Sequence, residues 1–154
     1  MKKLTIKRTF DAPIEDVWEA FTSPELLAKW WAPSGMSNSF VSTEVKVGGM
    51  FRYCMKMDEG GQEFWGRGIY QKIDKPNFIS YLDAFTDENG NAVAPSYYGM
   101  PGDDIIETIL EITFVSDGDK TEMILVGDNP FDDDMTENMT KGWNDMFDKL
   151  TNNL

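Results

Sequence analysis

Five polar side chains that could anchor a ligand or move a proton fall on segments with the composition of β-strands: Arg52, Arg67, Tyr70, Tyr81 and Glu107. An arginine that faces the interior of a sheet is well suited to hold a carboxylate or a phenolate in an apolar pocket. A carboxylate such as Glu107 beside Arg52 or Tyr81 would instead make an acid–base pair. The alternating pattern of the two strands does not decide whether the two arginines face the pocket or the solvent, because large apolar residues lie close to each arginine along both strands.

Several common catalytic and metal sites are excluded by composition. The chain has no histidine and one cysteine, which rules out Ser-His-Asp and Cys-His catalysis, histidine-ligated metals and structural zinc. Cys54 is interpreted as a small buried residue. The acidic segments 83–91 and 128–134 lack the glycine and distal glutamate of a calcium loop and are interpreted as a hairpin turn and a helix cap. No residue is assigned a catalytic role, and neither a metal nor a cofactor is predicted.

A stripe of methionine and aromatic residues near the end of the chain offers a further pocket wall. Met135, Met139, Trp143 and Met146 recur at helical spacing, which first of all predicts packing on a sheet. Methionine is also adaptable, so the same surface could reshape around varied apolar ligands. Gly142 weakens this helix by about 1 kcal/mol relative to alanine. Because glycine has no side chain, the position leaves room for the sheet or for a ligand.

Two adjacent tryptophans close the second of two short helical segments. Because neighbouring helix positions point in different directions, one of Trp30 and Trp31 should lie in the core and the other nearer the pocket mouth or the surface. Trp30 is included among the pocket candidates.

Hydrophobic periodicity predicts the elements that position these residues. Alternation predicts a strand over 4–10, and apolar residues at helical spacing predict short helices over 14–21 and 24–31, each preceded or begun by a proline. Apolar runs separated by Gly, Asn and Asp clusters predict antiparallel strands, and an amphipathic pattern predicts a last helix. The strands are expected over 40–47, 50–57, 63–73, 78–85, 105–116 and 120–127, a loop over 91–103, and the last helix over 133–152.

An ordered series of motifs runs from the first strand to the last helix: Phe10-x-Ala12-Pro13-x-x-x-Val17-Trp18-x-Ala20-Phe21-Thr22, Pro24-Glu25-x-Leu27-x-x-Trp30-Trp31-x-Pro33, Gly48-Gly49-x-Phe51, Gly66-x-Gly68 and Gly142-Trp143-x-x-x-Phe147-x-x-Leu150. In this series the chain resembles the START-like, or SRPBCC, superfamily, and within it the proteins related to the activator of the Hsp90 ATPase. The resemblance implies one α+β domain over residues 1–154 with the helix-grip fold. In that fold a curved antiparallel sheet of about six or seven strands wraps a long C-terminal helix, with two short helices after the first strand and a pocket between sheet and helix.

The net charge of −13 limits the classes of molecule that we expect the protein to bind. Residues 101–154 carry 14 acidic and 3 basic residues, and residues 1–100 carry 13 and 11, so the negative charge is concentrated in the last third. An acidic surface repels phosphate backbones and anionic lipids, and we expect neither nucleic acid nor membrane as a partner. The lone cysteine and the absence of a signal-like segment or long apolar run predict a cytoplasmic protein.

Three functions fit these observations. The first is a binding protein for a small apolar, aromatic or lipid-like molecule, held between the sheet and the last helix. The second is a co-chaperone-like domain that binds a protein through its acidic face, as a monomer or a homodimer. The third is a histidine-independent cyclase- or hydrolase-like enzyme, which would require a buried carboxylate that faces a cavity within hydrogen-bond reach of an arginine or a tyrosine.

Overall fold

Seven strands and three helices make up the fold in a computed structural model that describes residues 2–154; Met1, the first residue of the predicted domain, lies outside the described part. Strands β1 and β2 flank the two short helices, and the remaining strands follow one another along the chain. Their bounds are β1 Lys2–Phe10, α1 Ile14–Thr22, α2 Pro24–Trp30, β2 Met36–Thr43, β3 Met50–Met57, β4 Glu63–Asp74, β5 Phe78–Thr86, β6 Thr108–Asp117, β7 Lys120–Asn129 and α3 Asp133–Asn152.

All seven strands form one antiparallel sheet in the order β1-β7-β6-β5-β4-β3-β2. Because β1 and β2 lie at opposite edges, the segment that contains α1 and α2 must cross the whole sheet to connect them. The last helix α3 follows β7 and packs on the same face. This arrangement confirms the predicted α+β helix-grip fold.

The core lies between this face of the sheet and the helices. From α1, Phe21 packs on Phe114 of β6 with ring centroids 5.0 Å apart. From α3, Phe147 packs on Phe10 of β1 at 6.2 Å. Leu150 completes the buried stripe of α3. Each such side chain contributes about 1.5–3 kcal/mol when it is fully buried, so these contacts fix the helices on the sheet.

Strand β6 begins at Thr108 instead of the predicted 105, which leaves Glu107 outside the sheet. Strand β2 departs further from its predicted position. It was expected over 40–47 and spans Met36–Thr43, although Val45 and Val47 continue the alternation. Residues 44–49 instead form a tight loop, in which the amide of Gly49 donates to the carbonyl oxygen of Lys46. A Cβ on Gly49 would lie 2.1 Å from the carbonyl oxygen of Glu44, so the loop requires glycine there.

A long loop between β5 and β6 closes one end of the sheet. It contains a short 3-10 helix, Pro95–Tyr98, and Tyr98 anchors it. The Tyr98 hydroxyl donates to the carbonyl oxygen of Thr86 and accepts from the amide of Trp65 at 3.0 Å. Its ring packs on Phe64 at 5.4 Å. The loop is thereby held against the end of the sheet where β4 and β6 begin and β5 ends.

None of the helices in residues 2–154 combines the length and the apolar character that crossing a membrane would require.

Candidate functional site

A cavity of about 360 Å³ lies at this end of the sheet, between the β5–β6 loop and the first half of α3. Its walls come from β3 to β5, from the loop, from α3 and from the residues that follow α2. Apolar and aromatic side chains predominate among the lining residues: Trp31, Pro33, Tyr53, Met55, Phe64, Trp65, Asp83, Ala84, Phe85, Pro95, Met100, Pro101, Ile106, Thr108, Phe131, Met135, Met139, Gly142, Trp143 and Met146.

The four candidates on α3 all lie in this lining: Met135, Met139, Trp143 and Met146. Only Met146 among them is fully buried, whereas Met139 and Trp143 are partly buried and pack against the core. Spacing along one helix face brings the four together, as the periodicity predicted. Their role in binding stays a prediction.

Gly142 lies in the same wall and opens it. A Cβ at this position would have Pro33 as its nearest neighbour, at 3.9 Å, which is ordinary van der Waals contact. Packing therefore does not require glycine here. The missing side chain adds space to the cavity.

Trp30, proposed as a pocket residue, does not line the cavity; Trp31 does. The indole Nε1 of Trp30 donates to the carbonyl oxygen of Ala20 at 2.9 Å, and its ring packs on Phe21 at 4.7 Å. Helix α2 ends at Trp30, so the next residue turns the other way. Trp31 packs on Phe51 at 4.9 Å and on Trp143 at 5.4 Å. Both tryptophans are buried in the core, so the expected division between core and surface is not observed, and it is Trp31 that also borders the cavity.

Tyr70 and Tyr81 were also expected in the pocket, and both lie in the core outside its lining. They are paired across β4 and β5, with ring centroids 5.9 Å apart. The Tyr70 hydroxyl is satisfied by the Thr43 hydroxyl at 2.5 Å. Burial raises the pKa of both phenols, which keeps them neutral and suits a structural role.

Arg52 and Arg67 lie on the opposite face of β3 and β4, where they are cross-strand partners. The glycines that flank Arg67 show this most clearly. A Cβ on Gly66 would lie 2.5 Å from the Tyr53 ring, and one on Gly68 would lie 2.7 Å from the Tyr81 ring. These glycines therefore face the core, and the arginine between them points away.

Both arginines are engaged on that face. Arg52 donates to the carbonyl oxygen of Glu88 at 2.9 Å, and its guanidinium lies 5.5 Å from the ring centre of Trp65. Arg67 is 6% exposed and donates to the carbonyl oxygen of Leu82 at 2.8 Å. It also forms an ion pair with Glu107. Glu107 lies outside the lining, so the structure does not bring these three predicted residues into the cavity.

Asp83 is the ionisable group that sequence reasoning missed. It falls in the predicted strand 78–85 and was also counted with the acidic segment 83–91 that was interpreted as a hairpin turn. It lies within β5, whose alternation directs it to the same face as Tyr81. Its Oδ1 accepts a hydrogen bond from the Tyr53 hydroxyl at 2.9 Å. Burial raises the pKa of this carboxyl to about 6 from an ordinary 3.8, against the opposing effects of the Tyr53 hydrogen bond and the Arg67 charge. An aspartate between apolar strand residues was the available signal.

The cavity wall also contains a buried polar group that has no hydrogen-bond partner in the described part of the chain. Within residues 2–154, the Nε1 of Trp31 is buried and has no hydrogen-bond partner. Leaving a buried N–H unpaired costs about 1–3 kcal/mol, and the adjoining space is where a partner could enter. Asp83 differs from Trp31: its Oδ1 accepts from Tyr53, and its Oδ2 has no hydrogen-bond partner within residues 2–154 but is not a fully buried atom.

Comparison with known proteins places this geometry in a family. The family model described as "Activator of Hsp90 ATPase homolog 1-like protein" matches residues 11–154. The chain belongs to this family. Every residue that lines the cavity of this AHSA1-like chain falls within the matched region.

Solved structures share the fold of this AHSA1-like chain. A protein from Chromobacterium violaceum matches with a TM-score of 0.81 at 23% identity, over 100% of this chain and 98% of that one. A protein from Arthrobacter aurescens matches with a TM-score of 0.80 at 23% identity, over 97% and 83%. An AHSA1 protein from Silicibacter pomeroyi matches with a TM-score of 0.76 at 18% identity, over 99% and 96%. No curated protein matches. At these identities the likeness concerns the fold alone.

Proposed function

We propose that this AHSA1-like protein binds a small, mainly apolar molecule in the cavity between the β5–β6 loop and α3. The observation that carries the proposal is an apolar space of about 360 Å³ with two incompletely satisfied polar groups in its wall. Ligand pockets occupy roughly 300–1,000 Å³ and combine apolar walls with a few placed polar groups. The Asp83 carboxyl and the Trp31 indole N–H supply such groups here.

The test is to fill the cavity from α3. Gly142→Leu places an apolar side chain in the space and removes a helix-weakening glycine, so the variant should fold. Asn138→Leu is the matched control, because Asn138 is exposed on the same helix and lies outside the lining. A two-ring apolar probe, 2-methylnaphthalene, should quench tryptophan fluorescence, since Trp31 and Trp143 line the space.

Calorimetric titration of the same probe measures its affinity. The probe should bind the wild type and Asn138→Leu alike and lose at least roughly tenfold in affinity for Gly142→Leu, because a packed space no longer admits it. Absence of binding to the wild type, or equal binding to all three proteins, would refute the proposal.

An acid–base enzyme is a second candidate, favoured by the Asp83–Tyr53 pair. This pair is a carboxylate within 2.9 Å of a tyrosine hydroxyl at a cavity wall, the arrangement that catalysis without histidine requires. A carboxyl with a pKa of about 6 exchanges its proton near neutral pH. If the protein is an enzyme, mass spectrometry of bound compounds after incubation should reveal products with the wild type but not with Asp83→Asn. Unchanged compounds would favour binding alone.

A protein-binding role for the acidic face has weaker support. Tyr97 and Ile105 are exposed by 61% and 56%, and the exposed Asp103 and Asp104 lie close to Ile105 in sequence. Exposed apolar side chains together with exposed carboxylates suit a basic protein partner. Association should weaken as salt rises and fail for a Tyr97→Ser, Ile105→Ser double variant in a pull-down. Retention of the same partners by the double variant would exclude this surface.

A further inference from the structure

We infer that the ligand of this cavity is an uncharged or positively charged aromatic compound whose polar end donates a hydrogen bond to Asp83 and accepts one from Trp31, and that carboxylates are rejected. The inference rests on the proposed function and names the ligand class. It differs from the sequence-based alternative in which an inward-facing arginine would anchor an anionic group in the pocket.

The charges around the cavity argue against an anionic ligand. Its lining contains one carboxyl group, Asp83, and neither lysine nor arginine. Arg67, whose charge acts on Asp83, lies on the other face of β4 and is engaged by Leu82 and Glu107. Lys149 donates to the carbonyl oxygens of Pro33 and Met36 at 3.1 and 2.8 Å and also lies outside the lining. An anionic ligand would therefore meet a carboxyl group and no cation in the lining with which it could pair.

The hydrogen-bonding groups carry the second step. Asp83 offers an acceptor, because its second oxygen has no partner among the described residues, while Trp31 offers a donor with none. The Trp31 and Tyr53 rings lie 5.8 Å apart, and the Tyr53 hydroxyl contacts Asp83 at 2.9 Å. Acceptor and donor thus belong to one part of the wall. A hydroxyl group carries both a donor for Asp83 and an acceptor for Trp31, whereas an ammonium group has donors only and would pair with Asp83 through a stronger, charge-assisted bond.

The rest of the lining fits the remainder of such a ligand. Aromatic rings from Trp31, Trp143 and Phe64 and thioethers from Met135 and Met139 surround the space. Aromatic faces attract cations and stack with aromatic rings, and methionine adapts to the shape of the ligand. An apolar ring system with a donating group at one end is therefore complementary to both parts of the cavity.

A matched series of naphthalene probes tests the inference at pH 8. The probes share one ring system and differ in one group: 2-methylnaphthalene, 2-naphthalenemethanol, 2-naphthylmethylamine and 2-naphthoate. The alcohol and the amine should each bind roughly tenfold tighter than the methyl compound, because each gains a hydrogen bond within the cavity. The naphthoate should bind at least roughly tenfold more weakly than the methyl compound, because its charge would be desolvated beside a carboxylate.

Two variants assign the effect to the named groups. Asp83→Asn removes the charge and keeps an acceptor for Tyr53, so the amine should lose roughly tenfold in affinity and the penalty on the naphthoate should disappear. Trp31→Phe removes the N–H donor, so the alcohol should lose its advantage over the methyl compound by a few-fold. Asp104→Asn removes an exposed carboxylate outside the lining and should leave the order of the four probes unchanged.

The outcomes distinguish a failure of the proposed binding function from a failure of the inferred ligand class. If no probe binds, the proposed binding function fails and the inference fails with it. If the methyl compound binds but the naphthoate binds as well or better, the cavity is a binding site and the inference about its ligand is wrong. An order of affinities that Asp83→Asn leaves unaltered would also overturn the role of Asp83.

Discussion

Replacing Asp83 by asparagine should stabilise the protein at neutral pH. The carboxyl is partly buried beside aromatic side chains, and this environment raises its pKa to about 6 from an ordinary 3.8. At about 1.4 kcal/mol per pKa unit, ionisation of this group above pH 6 destabilises the folded state by at most about 3 kcal/mol relative to the unfolded chain. Asparagine is uncharged and keeps an oxygen for the Tyr53 hydroxyl, so the variant avoids this loss.

The gain should depend on pH in a defined direction. Because the pKa is raised on folding, the folded protein holds the proton more tightly, so the contribution of Asp83 to wild-type stability is full below about pH 4, is lost as the pH rises from about 4 to about 6, and then stays constant. Among the groups that face Asp83, the Tyr53 and Tyr81 phenols stay protonated because burial raises their pKa above 10.0. Asp83 is thus the group of this set that titrates in the window.

Urea denaturation of the wild type and of Asp83→Asn at pH 5, 6, 7 and 8 measures the effect. The difference in the free energy of unfolding should grow by about 1.4 kcal/mol from pH 5 to pH 8, in favour of the variant. Other carboxylates titrate in both proteins and cancel in this difference. Asp104→Asn, at an exposed site, should show no such trend. A variant that is less stable at pH 8, or a difference that does not change with pH, would refute the reasoning.

Three further substitutions probe the walls of the site and the face behind it. Gly66→Ala should lower the free energy of unfolding by about 1–3 kcal/mol, because the added Cβ would lie 2.5 Å from the Tyr53 ring; a neutral effect in urea denaturation would contradict this packing. Gly142→Ala should raise it by about 1 kcal/mol through helix propensity, since nothing lies closer than 3.9 Å to the new methyl group; a loss of thermal stability would contradict it. Arg67→Ala should lower the free energy of unfolding by about 2 kcal/mol or more, because hydrogen bonds of a buried cation are lost. Glu107→Gln should lower it by less than about 1 kcal/mol, because that side chain is 42% exposed and well screened by solvent. Equal losses for the two variants would contradict this assignment.

The elements with strong local signals could be predicted from the sequence. Helix α3 spans Asp133–Asn152, as predicted, because a cap, an amphipathic stripe and an acidic first turn all agree there. Strand β3 spans Met50–Met57, as predicted, between two glycine-rich turns. Strand β2 could not be placed, because alternation at Val45 and Val47 carries no information about the backbone contact that makes Gly49 part of a loop.

The polar part of the site required the fold. Whether Arg67 faces the cavity depends on which rings cover Gly66 and Gly68, and those rings belong to other strands. Two glycines at alternate positions are a signal that the face they share is crowded, which favours an outward arginine, but the size of the opposing residues is not local information. The raised pKa of Asp83 arises in the same way, from burial that only the assembled sheet produces.

Different residues of α3 serve stability and the proposed binding. Phe147 and Leu150, in the second half, are fully buried and hold the helix on the sheet. Met139 and Gly142, in the first half, border the cavity instead. An unfilled apolar space forfeits packing energy, and Gly142 forfeits about 1 kcal/mol of helix stability that alanine would supply without a clash. A binding site often retains residues that are less stabilising than the available substitutions, as glycine is here relative to alanine. The presence of Gly142 therefore supports a ligand as the occupant of the space.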